Sequence, residues 1–140
     1  MGETVGMDGM NPQKVLVIED SPTQALHLQG LLEEEGFQVI VARDGEAGLQ
    51  TAQRARPDVV VLDLEMAGMN GLQVCQRLKE MRQTTSIPVI MFTHHDDPEV
   101  ITLGIQIGAV DYIPKDAFAD TTLLETLRQM ELDAPCAAGA

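Results

Sequence analysis

Residues Asp58–Met66 read D-V-V-V-L-D-L-E-M, an apolar run that halts at a carboxylate. Four consecutive aliphatic residues, Val59 to Leu62, suit a short strand buried on both faces, the kind found in parallel sheets covered by helices. Asp63 at the end of that run is costly to bury alone, so the stretch predicts a central strand and a partner for its terminal carboxylate.

On both sides the same alternation repeats. Short apolar runs at Lys14–Ile18, Gln38–Ala42, Pro88–Phe92 and Asp111–Ile113 read as further strands, each followed by a segment of helical period. The first helix starts near Ser21 and Pro22, a cap residue with proline at the first helical position, and ends by Gly36. Its Leu28, Leu31 and Leu32 face the sheet. The second runs from Asp44 to Arg56, stopped by Pro57, with small inward residues Ala47, Gly48, Ala52 and Ala55. Asn70 caps a third helix carrying Leu72, Val74, Cys75, Leu78 and Met81; Asp97 and Pro98 open a fourth, with Val100, Leu103 and Ile107 as its inward stripe. A fifth spans about Thr121 to Leu132, with Leu123, Leu124, Leu127 and Met130 inward. Five strand–helix pairs predict an α/β fold, a doubly wound (βα)5 parallel sheet with helices on both faces.

Bulk properties agree. The 140 residues fit one domain, expected over 13–132 between flexible tails at 1–12 and 133–140. Hydrophobic residues make up 44% and charged residues 22%, ordinary globular usage. No apolar run approaches the roughly 20 residues that span a bilayer, and Met1 to Asn11 lack a secretory pattern, so the expected location is the cytoplasm without membrane insertion. Cys75 and Cys136 are widely separated and form no metal-ligand or redox spacing, so free thiols are expected. With 22 acidic against 9 basic residues, a net charge of −13, the surface repels the phosphate backbone, which argues against direct nucleic-acid binding.

In doubly wound sheets, ligands settle at the carboxyl ends of the strands. Those ends carry Glu19 and Asp20 after the first strand, Asp63 after the third, Thr93 after the fourth and Lys115 after the fifth. Singly, each has an ordinary reading: acidic residues favoured by a helix dipole, a strand-end threonine, a solvated lysine. Together they supply what phosphoryl transfer needs, with Asp63 as the nucleophile and a cation, Lys115 and the Thr93 hydroxyl to take the phosphoryl oxygens. Clustered carboxylates favour a hard divalent cation, and Mg²⁺ suits a site of few carboxylates plus phosphate; spacing alone leaves Ca²⁺ and Mn²⁺ open.

From Lys14 to Leu132 the chain resembles the response-regulator receiver (CheY-like) family of two-component phosphorelay signalling. The resemblance rests on V-L-V-I-E-D-S at Val15–Ser21, D-V-V-V-L-D-L-E-M at Asp58–Met66, G-M-N-G at Gly68–Gly71, P-V-I-M-F-T at Pro88–Thr93 and G-A-V-D-Y-I-P-K at Gly108–Lys115. It implies a flavodoxin-like sheet of strand order 2-1-3-4-5 and a cytoplasmic phosphoprotein that is a switch, not an enzyme beyond its own phosphorylation and dephosphorylation. By resemblance, Asp63 accepts the phosphoryl group from a histidine kinase or phosphotransfer protein. Mg²⁺ is held by Glu19, Asp20, Asp63 and the Glu65 backbone carbonyl. Thr93 and Tyr112 match the switch pair, Lys115 the phosphoryl-binding lysine. The fourth helix, fifth strand and fifth helix then form the surface that controls a downstream protein or a homodimer.

Two departures stand out. The family usually follows its lysine with a cis proline, whereas Asp116 follows Lys115, and a non-proline cis bond costs about 3–4 kcal/mol. The loop is therefore expected to retain that strain or to run differently. Ala67 stands after Met66 where proline is common. Glu65 and His95, each two residues beyond a site residue, are placed to overhang the phosphoryl group and tune its lifetime. Ile101 and Ile105, one turn apart and offset from the inward stripe, are placed for an exposed interface. His27 and His94 have no ligand spacing and read as surface or packing residues. Two other functions compete: a Mg²⁺-dependent phosphatase using an aspartyl phosphate, for which Glu65 stands where its second acid belongs, and a docking receiver that does not use phosphate. A flavin carrier is disfavoured by the acids after the first strand and by 3% aromatics.

Overall fold

The computed structural model describes residues 13–94 and 96–133. Strands β1 (Lys14–Ile18), β2 (Gln38–Ala42), β3 (Val59–Leu62), β4 (Val89–Thr93) and β5 (Asp111–Pro114) alternate with helices α1 (Pro22–Glu34), α2 (Gly45–Ala55), α3 (Gly71–Glu80), α4 (Pro98–Ile107) and α5 (Ala119–Asp133). They form one parallel sheet in the order β2-β1-β3-β4-β5, the order the resemblance implied. In register, Val17 of β1 lies between Val41 of β2 and Val61 of β3, and Val61 in turn faces Ile90 of β4.

Because successive strand side chains point to opposite faces, each strand feeds two cores. Leu16, Ile18, Val60, Leu62, Val89 and Met91 pack against α2 and α3 through Leu49, Ala52, Val74, Cys75 and Leu78. Val15, Val17, Val59, Val61, Ile90, Phe92 and Ile113 pack against α1 and α5 through Leu28, Leu32, Leu123 and Leu127. All four β3 residues are buried, as expected of a central strand.

The helix starts obey local chemistry. Ser21, Asp44, Asn70 and Asp97 each cap a helix, their side chains accepting from the backbone amides of Gln24, Ala47, Gln73 and Glu99. Pro22 and Pro98 occupy first helical positions, where no amide is needed. Gly36, at φ +95°, turns the chain out of α1.

Several expectations are corrected. β4 begins at Val89 rather than Pro88 and runs on to Thr93, β5 extends to Pro114, and α5 starts at Ala119, two residues before Thr121. In α2, Leu49 is buried while Ala47 and Ala55 are only half-buried. In α4, Val100 and Ile107 meet the core, but Leu103 is exposed and Gly104 is the buried residue. A Cβ on Gly104 would meet Met91 Sδ and Cε, so α4 approaches β4 closely enough that a side chain there fits only if the end of Met91 shifts. No cis peptide occurs among the described residues, so the Lys115–Asp116 bond is trans. The expected tail at 1–12 lies outside the described residues, as does the tail expected at 133–140, with Cys136, except for Asp133, which closes α5.

Candidate functional site

The ladder continues one residue past three strands. Glu19 N donates to Ala42 O (3.0 Å), Asp63 N to Ile18 O (3.1 Å) and Lys115 N to Thr93 O (3.0 Å). Each backbone is thereby fixed at the carboxyl edge of the sheet, and the side chains meet there although they are far apart in sequence. Lys115 Nζ lies 2.7 Å from Glu19 Oε1 and 3.3 Å from Asp63 Oδ2. The three side chains are 6%, 3% and 8% exposed, so these are buried ion pairs, each group neutralising what would otherwise be a costly charge. The ammonium also sits 5.8 Å from the centroid of the Phe92 ring.

The remaining carboxylate oxygens are held by backbone amides. Asp63 Oδ1 accepts from Glu65 N (3.0 Å), Glu19 Oε2 from Ser21 N (3.2 Å) and Asp20 Oδ2 from Ala67 N (3.1 Å). Arg43 Nη2 donates to the Asp20 carbonyl at 3.1 Å. Burial pushes the Glu19 carboxyl above its usual range, opposed by the hydrogen bond and charge of Lys115; the neighbouring Asp63 charge adds to the push and the Ser21 amide opposes it.

Beneath the site, Gly71 is required. A Cβ there would lie 2.6 Å from both Asp63 O and Leu64 Cα, backbone atoms that cannot swing away, and Gly71 N donates to Leu64 O at 3.1 Å. The start of α3 is thus packed directly against the chain leaving β3, which sets where Asp63 points. The sequence reading placed Asn70 as the cap but did not find this role for Gly71; the G-M-N-G signal was the trace of it.

Oxygens of Glu19, Asp20 and Asp63 lie within 4.8 Å of one another, a candidate cation-binding group. An all-oxygen set with an ammonium already drawn into it fits a hard divalent cation that keeps waters. The acids and Lys115 singled out in the sequence therefore converge. Thr93 is fully buried at the end of β4, in register with Pro114. Tyr112 is half-buried against the α2–α3 core; burial, then the charges of Asp96 and Asp116, raise its phenol, so it is protonated at neutral pH. The Glu65 side chain is exposed, and His95 lies outside the described residues. His94 is exposed and lines a cleft with Lys115 and Asp116; His27, also on that cleft, pairs with Asp120 of α5 at 2.7 Å. Ile105 is exposed, whereas Ile101 is half-buried, correcting the expectation of an exposed pair. The sequence reading missed the direct Glu19–Lys115 contact, which joins residues 96 apart in the chain.

Residues 15–128 match the response regulator receiver domain family. Protein PilH of Pseudomonas aeruginosa is 38% identical over 114 residues, which cover 81% of this chain and 93% of PilH. The DNA-binding response regulator MtrA of Mycolicibacterium smegmatis is 40% identical over 109 residues, 78% of this chain but 46% of MtrA. The chain thus spans nearly all of the first relative and under half of the second. The chemotaxis protein CheY4 of Vibrio cholerae, crystallised at low pH, superposes with a TM-score of 0.78 at 32% identity, covering 84% of this chain and 98% of that one.

Proposed function

The chain belongs to the response regulator receiver domain family, the phosphorylation switches of two-component signalling, and on that premise we propose that Asp63 is its phosphoacceptor. The observation that carries this reading is the buried Asp63 carboxylate, held by Lys115 and the Glu65 amide beside two further acids. An Asp63 oxygen attacks the phosphorus of a phosphohistidine on a sensor kinase or phosphotransfer protein. A P–O bond forms, the P–N bond breaks, and its electron pair returns to the imidazole nitrogen. Lys115, already 3.3 Å from the carboxylate, takes the equatorial oxygens, as does the Thr93 hydroxyl. Glu19, Asp20, Asp63 and the Glu65 carbonyl would hold Mg²⁺, which when bound supplies charge neutralisation at the phosphoryl oxygens.

The phosphoryl group brings charge and acceptor oxygens that favour one arrangement of Thr93 and Tyr112 over another, a shift of populations. The surface it alters is α4, β5 and α5, where Leu103, Ile105 and Val110 are exposed for a downstream protein or a second copy. MtrA carries DNA-binding in its name, but this chain spans less than half of it, and a net charge of −13 favours a protein target over DNA. No described helix is long and apolar enough to cross a membrane.

Incubation with acetyl phosphate and Mg²⁺, followed by intact-mass spectrometry, should add one phosphoryl group that hydroxylamine removes, and Asp63→Asn should abolish it. A wild-type protein that never gains that mass, or an Asp63→Asn variant that gains it equally, overturns the reading.

A further inference from the structure

The ammonium of Lys115 is nearer to Glu19 than to Asp63, 2.7 Å against 3.3 Å. Glu19 is itself fixed from the other side, since its second oxygen accepts from Ser21 N and its backbone amide is tied to Ala42 O. Lys115 leaves the sheet from a backbone pinned to Thr93, and its ammonium, 5.8 Å from the centroid of the Phe92 ring, ends between the two carboxylates and closer to that of Glu19. We propose, resting on the phosphoacceptor reading above, that Glu19 is a positioning residue for Lys115, whose glutamate length sets where the ammonium waits beside Asp63.

The physical argument is about reach. A flexible four-carbon stem carrying a strongly hydrated point charge is poorly directed by itself. A buried acceptor 2.7 Å away removes that freedom before the phosphodonor arrives, and such prior placement is where rate is gained. Aspartate at position 19 would keep the charge yet withdraw the oxygen by one methylene. Glutamine would keep the reach and an accepting oxygen yet remove the charge.

The two variants therefore separate positioning from acidity. With acetyl phosphate at saturating Mg²⁺, Glu19→Asp should lower the phosphorylation rate about tenfold, a larger loss than in Glu19→Gln, which gives up only the charge that helps hold the cation. Mg²⁺ binding followed by calorimetry should run the other way, with Glu19→Gln weakened about tenfold and Glu19→Asp little changed. A readout independent of activity is the Lys115 ammonium resonance in ¹⁵N NMR of the metal-free protein, slowed in exchange by its buried contact. It should persist in Glu19→Gln and vanish in Glu19→Asp. If the resonance persists in Glu19→Asp and the rate loss appears instead in Glu19→Gln, Glu19 acts as an acid for the cation and the positioning role is overturned. If wild type takes no phosphate while the resonance follows side-chain length as stated, the phosphoacceptor reading fails and the tether stands.

Discussion

The chain leaving β3 and the helix α4 lie on the same side of the sheet and are held in opposite ways. Asp63 is fixed by its backbone bond to Ile18, by Lys115, by the Glu65 amide and by the close approach of Gly71. Helix α4 buries one residue, Gly104, and leaves Leu103 and Ile105 at 46% and 44% exposure. Geometry that must be accurate is over-determined, while the element on the proposed output surface is held by a small contact area. Few buried apolar contacts mean a low cost of local rearrangement, so α4 is the cheaper of the two to move.

The hardest blow to this contrast is Lys115→Ala, which leaves Glu19 and Asp63 buried without their cation. Chemical denaturation at neutral pH in the presence of a chelator should show a loss of about 3 kcal/mol. The loss should shrink as pH falls, because the Glu19 carboxyl, already pushed up by burial, takes a proton in place of the ammonium. Added Mg²⁺ should recover part of it. A variant as stable as wild type with chelator present would mean that the acids are not buried together.

A paired substitution sharpens the same contrast. Gly71→Ala meets backbone at 2.6 Å and should cost about 3 kcal/mol, since neither Asp63 O nor Leu64 Cα can yield alone. Gly104→Ala meets the sulfur and methyl of Met91, the flexible end of a side chain, and should cost only about 1 kcal/mol. Equal melting-temperature losses for the two would erase the distinction between a fixed site and a loosely seated helix.

The smallest effect belongs to the exposed face of α4. Ile105→Ser should change stability by no more than about 0.5 kcal/mol, while weakening any phosphorylation-dependent self-association seen by sedimentation. A large stability loss would show that Ile105 is buried after all.

Much of this was legible beforehand because it is local. Short apolar runs and period-3.6 patterns located every strand and helix among the described residues, and Ser21, Asp44, Asn70 and Asp97 cap their helices through bonds to amides two or three residues away. The errors lay where a long-range fit decides. Leu103 sits in a helical stripe by spacing, yet the approach of α4 to Met91 at Gly104 turns it out to solvent. Leu49, which the expected inward set of α2 left out, joins Ala52 in the core beneath that helix, with Ala47 packed at its edge. The path of the Lys115–Asp116 peptide could not be settled from spacing, because two loop courses were compatible with it.

The sequence alone determined the alternation of elements, the helix starts and the identity of the residues at the strand ends, since backbone preference and side-chain period act over a few residues. Only the tertiary structure decided that Lys115 touches Glu19 more closely than Asp63, and that glycine is obligatory at 71. Those facts depend on distances between segments tens of residues apart, fixed by how the sheet and helices pack rather than by any local rule.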